Sequence, residues 1–443
     1  MTKIVLVGAN HAGTAAANTI LDQYPGNELV IFDRNSNISY LGCGTALWIG
    51  GQIDSPDGLF YSSKEKLQAK KATVYMETEV TRIDFAARMV YGRAKDGKEL
   101  TETYDKLILA NGSLPIVPPI PGADLAGVQS VKLYQDAQKL NAVLDSPGVQ
   151  AVAVIGAGYI GVELAEAIKR RGKKAVMFEL FETCLSNYYD PWFTADMDKV
   201  LADNGVELHF GEKVLSLEGA QKVEAVVTDK GRCPVDGVIM SIGFRPNNSL
   251  GKDDLKLFAN GAYQVNTRQE TSLPGVYAIG DCATVLNNAT EQPGYIALAT
   301  NAVRSGIVAA HNACGTPLDS AGVQGSNGIS IFGYNMVSTG LNLAAAAKAG
   351  YTPAYTEYED LQKPAFMKDN HPVKLRIVYD SKTRRLLGAQ MASWENMSMG
   401  IHMFSLAIAE KLTVDKLKLL DIFFLPHFNQ PYNYITMAAL GAK

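Results

Sequence analysis

Two stretches of the chain repeat one pattern of apolar runs and breaks. The first reads Ile4-Val5-Leu6-Val7-Gly8-Ala9-Asn10-His11-Ala12-Gly13, continues through a helix-like run, and closes on Leu29-Val30-Ile31-Phe32-Asp33. The second reads Val152-Ala153-Val154-Ile155-Gly156-Ala157-Gly158-Tyr159-Ile160-Gly161 and closes on Ala175-Val176-Met177-Phe178-Glu179. Short unbroken apolar runs predict strands buried on both faces. Each repeat therefore predicts strand, Gly-rich turn, helix, second strand and terminal acid, which is a dinucleotide-binding βαβ unit with its own adenosine site. Asp33 follows Gly8 by 25 residues and Glu179 follows Gly156 by 23, near the spacing a ribose-binding acid requires. The second turn carries all three glycines of the fingerprint. The first has Asn10 in the middle position, which predicts a looser approach of backbone to pyrophosphate there.

The remaining pattern places these units in a larger chain. Pro115, Pro118, Pro119 and Pro121 follow the apolar run Leu107–Ala110 and predict a crossing between domains. A second crossing fits Gly243-Phe244-Arg245-Pro246-Asn247. Beyond it a strand ends at Asp281, and a helix-like run covers 296–313. The second unit then reads as an insertion in the first. From about 323 the texture changes. Leu375–Tyr379 and Leu386–Met391 flank Asp380-Ser381 as a hairpin, with helix-like patterns at 400–411 and 413–420. The expected fold is α/β, with two Rossmann-like domains and a C-terminal α+β domain. The expected boundaries are 1–118 and 246–322 for the first domain, 119–245 for the second and 323–443 for the third.

Composition narrows the partners. The 443 residues suffice for about three domains, and 47% hydrophobic content excludes general disorder. A net charge of −4 speaks against nucleic acid and membrane surfaces. No apolar stretch is long enough for a transmembrane helix, and the N-terminal run stops at Gly8 as a strand would, so a cytoplasmic protein is expected. Five scattered cysteines, at 43, 184, 233, 282 and 314, fit a reducing compartment and show no metal-ligand spacing. No metal is expected, and the last four cysteines read as packing residues. Cys43 differs. It lies in Ser39-Tyr40-Leu41-Gly42-Cys43-Gly44, one loop beyond the first unit, with no neighbouring cysteine. That setting predicts a thiolate that cycles with sulfenic acid beside a flavin rather than with a disulfide. A thiolate needs donors or positive charge, and a helix starting near Thr45 is the expected source.

Together these motifs resemble the pyridine nucleotide–disulfide oxidoreductase superfamily, and most closely its single-cysteine branch of NADH oxidases and peroxidases. The carrying segments are Gly8–Gly13, Ser39–Gly44, Gly156–Gly161, Gly243–Asn247, Tyr277–Asp281 and Phe423–Phe428. The resemblance implies FAD and NADH as cofactors. It places FAD against Gly8, Asn10, His11, Ala12, Gly13, Asp33, Arg34, Cys43, Val80, Ala110, Gly112, Ser113, Lys132, Asp281, the helix start Ala297-Leu298-Ala299, and Phe424. It places NADH against Gly156, Gly158, Tyr159, Ile160, Gly161, Glu179, Tyr188, Gly243 and Gly328, with Tyr159 gating the nicotinamide. Cys43 and His11 are the implied catalytic pair, with His11 stabilising the sulfenic acid or delivering a proton. The third domain implies a homodimer or larger assembly and brings Phe424 and His427 near a partner's flavin. Glu179, with no Arg or Lys at 180–183, favours NADH over NADPH. The implied activity is reduction of O2 to two waters by two NADH, through a flavin hydroperoxide and peroxide that Cys43 consumes. An NADH peroxidase, a coenzyme A-disulfide reductase and a redox-sensing flavoprotein are the alternatives.

Overall fold

The computed structural model describes residues 1–443. In the first repeat, strands Lys3–Val7 and Glu28–Phe32 pair in parallel and helix His11–Gln23 connects them. The full sheet is parallel, in the order Val276–Ala278, Lys106–Leu109, Lys3–Val7, Glu28–Phe32, Thr73–Tyr75. A parallel sheet must be covered on both faces, and strand alternation assigns each side chain to one of them. Ile4, Leu6, Leu29, Ile31 and Ile108 pack under helices His11–Gln23 and Ala299–Ala313. Val5, Val7, Val30, Phe32, Leu107 and Leu109 pack on the other side with Val80, Ile83 and Val90 of an antiparallel three-stranded sheet. The two covering helices cross closely because residue 306 is glycine: a Cβ there would stand 2.3 Å from the Ala12 carbonyl oxygen.

The second repeat is built alike. Its parallel sheet runs Glu207–Phe210, Lys174–Glu179, Ala151–Ile155, Gly237–Met240, Val128–Ser130, with helix Tyr159–Arg170 after the turn. Val152, Val154, Ala175 and Met177 face one core, while Ala153, Ile155, Val176 and Phe178 face the other. The two crossing segments pair with each other, Ser113–Pro115 antiparallel to Phe244–Pro246.

The C-terminal part is a five-stranded antiparallel sheet, in the order Asn327–Ile331, Tyr334–Gly340, Leu386–Ser393, Pro372–Asp380, Pro353–Leu361, with helices Ile401–Ala409 and Tyr434–Leu440 in its core. The hairpin expected at Asp380-Ser381 forms, but its loop is longer and runs through Arg384, which takes a positive φ of 61°. The helix expected over 413–420 does not form. Only a short 3-10 turn, Val414–Leu417, is present, because Val414 and Leu417 alone bury their side chains fully there. No helix is long and apolar enough to cross a membrane.

Candidate active site

The two Gly-rich turns have matching hydrogen bonds. The Gly8 amide donates to the Phe32 carbonyl, and the Gly156 amide to the Phe178 carbonyl, each at 2.8 Å. Asp33 accepts from the Ala9 amide (2.7 Å) and the Asn35 amide (2.7 Å). Glu179 accepts from the Ala157 amide (2.7 Å) and the Phe181 amide (3.1 Å). Gly8 and Gly156 have φ near +100°, and a Cβ on Gly13 or Gly161 would fall 1.9 or 2.0 Å from the carbonyl oxygen of the turn's first glycine. These four glycines are sterically required. The middle position is not. Asn10 (φ −87°, ψ −150°) and Gly158 (φ −76°, ψ −173°) share an extended conformation open to any residue. The missing glycine therefore costs no backbone strain, and its only effect is on the space left for a ligand.

Both turns open on one cavity of ≈ 1430 Å³, larger than the ~300–1,000 Å³ of a drug-sized site. Every residue expected at FAD lines it except Phe424, and on the NADH side Gly158, Tyr159, Ile160, Tyr188, Gly243 and Gly328 line it. Gly156 and Gly161 do not line it. Glu179 lies behind the Ala157 and Phe181 amides it binds. Phe424 is 47% exposed, away from the cavity of its own chain, on a segment without regular structure, and His427 is exposed beside it.

Cys43 sits in a single 3-10 turn, Gly42–Gly44, at the head of the short helix Thr45–Ile49. That helix is pinned to the second repeat: the Arg171 guanidinium donates to the Ile49 carbonyl at 3.0 Å. The thiol is accessible from the cavity but enclosed by its walls. That enclosure raises its pKa, and the carboxylates of Glu163 and Asp281 push it further up. The helix start expected near Thr45 is present. The helix is one turn long, and the nearby charges are negative.

Three groups that motif reading overlooked bear on the expected site residues. Glu163 is one turn beyond Tyr159 on the same helix face. It lines the cavity, and burial raises its pKa to about 7, with Glu166 adding to the shift. That i, i+4 spacing was the sequence signal available for it. Tyr61 stacks on His11 with ring centroids 5.9 Å apart, and its hydroxyl is 2.9 Å from His11 Nδ1. Burial lowers the His11 pKa, partly offset by Asp281, so the imidazole is neutral at neutral pH. Asn327, from the C-terminal sheet, accepts from the Tyr159 hydroxyl through Oδ1, and the Tyr189 hydroxyl lies 2.9 Å from the same Tyr159 oxygen. Nothing local in the sequence announces Tyr61 or Asn327.

Asp281 ends its strand in a 3-10 turn and accepts from the Ser113 hydroxyl at 2.9 Å. Lys132 bonds the same hydroxyl and lies 3.9 Å from the Asp281 carboxylate. Helix Ala299–Ala313 points its N-terminus into the cavity through Leu298 and Ala299. The wall also holds two buried atoms with no hydrogen-bond partner, Asn111 Oδ1 and Ser241 Oγ. Orphaned polar atoms, two open turns and a helix start fit large, hydrogen-bonding, phosphate-bearing ligands.

Known proteins share this fold. A family model for pyridine nucleotide-disulphide oxidoreductases matches residues 2–306, and that for the family's dimerisation domain matches residues 328–433. A protein named NADH oxidase from Streptococcus pyogenes serotype M6 is 59% identical, with 100% of each chain covered. One of the same name from Lactococcus lactis subsp. cremoris is 54% identical, again over 100% of each. Among solved structures, a water-forming NADH oxidase from Lactobacillus brevis bound to NADH matches with a TM-score of 0.96 at 38% identity, covering 100% of this chain and 98% of that one. By the extent and specificity of these matches, the chain belongs to the pyridine nucleotide-disulphide oxidoreductases.

Proposed function

We propose that the protein is a water-forming NADH oxidase with FAD as its resident cofactor. The observation that carries this reading is a lone thiol, Cys43, in one cavity with both nucleotide turns and with no second cysteine on the wall. Asp33, Ser113, Lys132, Asp281 and the Leu298–Ala299 helix start would hold FAD, and Gly158, Tyr159, Tyr188 and Glu179 would hold NADH. FAD, when bound, supplies the electron relay from NADH to dioxygen and to the oxidised sulfur.

The chain's residues do the rest. Cys43 gives its proton to neutral His11, and the thiolate attacks the O–O bond of H2O2, forming the S–O bond of a sulfenic acid and releasing hydroxide, which that proton converts to water. Return of an electron pair and one proton to the sulfenic acid restores the thiolate and releases the second water. His11, neutral and aligned by the Tyr61 hydroxyl, hydrogen-bonds the sulfenic acid, and Glu163 holds a proton within the same walls. Tyr159, tied to Tyr189 and Asn327, covers the nicotinamide position and excludes water until NADH displaces it. Glu179 selects NADH, because a carboxylate repels a 2′-phosphate.

We also propose a homodimer. Leu419, Phe423, Phe428 and Tyr432 are 90%, 67%, 56% and 74% exposed, a band of apolar side chains within or beside the dimerisation-domain match. An oxygen electrode tests the activity. Two NADH consumed per O2, insensitive to catalase, is expected. An enzyme that oxidises NADH only after peroxide is added would be a peroxidase, and the proposal would fall.

A further inference from the structure

Outside the cavity, one cluster brings together three different metal-ligating side chains. Strand alternation puts Glu207 and His209 on one side of the edge strand Glu207–Phe210. Cys233 comes from Arg232–Pro234, the edge strand of a separate antiparallel sheet. A Glu207 carboxylate oxygen, a His209 ring nitrogen and Cys233 Sγ all lie within 4.8 Å of one another. No sequence spacing links residues from two sheets, which is why the cysteine pattern alone predicts no metal. We propose that Glu207, His209 and Cys233 form a binding site for a borderline-soft divalent cation of the zinc class.

Three observations carry this. The first is the donor set. Thiolate, imidazole and carboxylate are the usual protein ligands of zinc, with bonds of about 2.0–2.3 Å and an open fourth position for water. Ligand atoms on such an ion stand about 3.3–3.8 Å apart, so the cluster closes on it with shifts of roughly 1 Å. The second is the placement of the ring. His209 Nε2 is 2.8 Å from Glu207, and Nδ1 is 2.9 Å from Glu212. A protonated ring donates to both carboxylates. A cation at Nε2 takes the place of that proton: Nδ1–H keeps its bond to Glu212, and Nε2 and Glu207 turn to the ion together. The third is the supporting shell. Thr228 donates to the far oxygen of Glu212 at 2.9 Å, and the His209 ring stacks on Phe178 at 4.8 Å. A carboxylate behind a metal-bound histidine, itself hydrogen-bonded, is what fixes tautomer and ring orientation in such sites. Lys174 occupies the other Glu207 oxygen at 2.7 Å and is the competing cation.

The ion would clip two edge strands together one residue from Glu179, since His209 pairs with Phe178 and the Glu212 amide donates to the Glu179 carbonyl. The test uses FAD-loaded enzyme, cleared with chelator and dialysed against buffered Zn2+, with bound metal read by elemental analysis. One zinc per chain is expected in wild type and in Cys43→Ser. Cys233→Ser and His209→Gln should each weaken binding at least about tenfold, and Glu212→Gln roughly 10- to 100-fold. Lys174→Met should tighten it. Cd2+ in place of Zn2+ should give an ultraviolet thiolate charge-transfer band that Cys43→Ser keeps and Cys233→Ser loses. No zinc on wild type, or zinc lost with Cys43 and kept without Cys233, would overturn the proposal. Two independent variants on different strands guard against misfolding of either one.

Discussion

Replacing Cys43 by Ser isolates the chemical step from everything else the cavity does. The side chain stands on an accessible wall and makes no hydrogen bond to another residue, so exchanging Sγ for Oγ should shift stability by no more than ~0.5 kcal/mol. Both nucleotide turns and the helix Tyr159–Arg170 are untouched. NADH oxidation and O2 uptake should therefore continue. What disappears is the nucleophile, because a serine hydroxyl is not ionised at neutral pH and cannot open the O–O bond. The electron count then fixes the outcome. Each O2 takes one electron pair and leaves as H2O2, so NADH consumed per O2 falls from two to one and one peroxide appears per O2. An oxygen electrode with a peroxidase-coupled dye reads both quantities. Catalase returns half the oxygen in the variant and none in wild type. Dimedone should label wild-type Cys43 as its sulfenic acid during turnover and label nothing in the variant. Unchanged water formation by Cys43→Ser would refute the role of the sulfur and with it the proposed cycle.

Other perturbations probe the surroundings. His11→Ala removes the group held by Tyr61 and should slow peroxide consumption by about 10²-fold or more, seen as peroxide leak with near-normal O2 uptake; no leak would remove His11 from the cycle. Glu163→Gln deletes an anion that raises the Cys43 pKa, so iodoacetamide should alkylate Cys43 faster in the variant at pH 7, and an unchanged rate would count against the coupling. The Glu163 pKa is raised from 4.5 to about 7 by burial; the folded state thus favours the protonated form, and wild type should lose stability relative to Glu163→Gln, by up to about 3 kcal/mol, as pH climbs from 4.5 through 7. Urea denaturation at pH 5 and 8 measures this. Glu179→Ala removes a charged hydrogen-bond acceptor worth ~1.5–3 kcal/mol, so the KM for NADH should rise roughly 10- to 100-fold while that for NADPH rises less. Equal loss for both cofactors would mean that the acid shapes the turn rather than choosing the cofactor.

The parallel sheets were legible because their strands are buried on both faces. Ile4-Val5-Leu6-Val7 and Val152-Ala153-Val154-Ile155 have no polar residue to place, and each residue is buried. The glycines were legible because backbone collisions at Gly13 and Gly161 leave no alternative. Legibility ends where a partner is distant or a pattern is thin. Tyr61 meets His11 across 50 residues of chain, and Asn327 reaches Tyr159 from another sheet. The segment after 412 has an apolar residue on nearly every helical turn, yet Leu419 stays 90% exposed. Asp415, inside the 3-10 turn, instead bonds Arg384 of the hairpin loop at 2.6 Å. Two of the groups that bear on the Cys43 pKa are hidden for a similar reason. Its loop sequence is uncharged, and the acids that raise it come from residues 163 and 281.

The duplication explains where the chemistry sits. His11 and Tyr159 occupy the same position in their repeats, three residues after the first glycine and first in the helix. Each is held by a tyrosine hydroxyl at 2.9 Å, Tyr61 for one and Tyr189 for the other. Both face the one cavity that holds Cys43. The shared geometry of the turn, with its glycines and its strand-end acid, occurs twice and cannot by itself distinguish two cofactors. The distinguishing groups are the side chains that the turn leaves free: Asn10 against Gly158, His11 against Tyr159, Asp33 against Glu179. Facing two copies across the loop of a lone thiol makes the proposed redox site a property of the junction. The helix Thr45–Ile49, although it follows the first repeat in sequence, is anchored to Arg171 of the second. The loop before the thiol is held by the first unit, through the Ser39 amide on the Ala9 carbonyl at 3.1 Å and the Leu41 amide on the Leu59 carbonyl at 2.8 Å, so a shift of one unit against the other would strain the turn that carries Cys43.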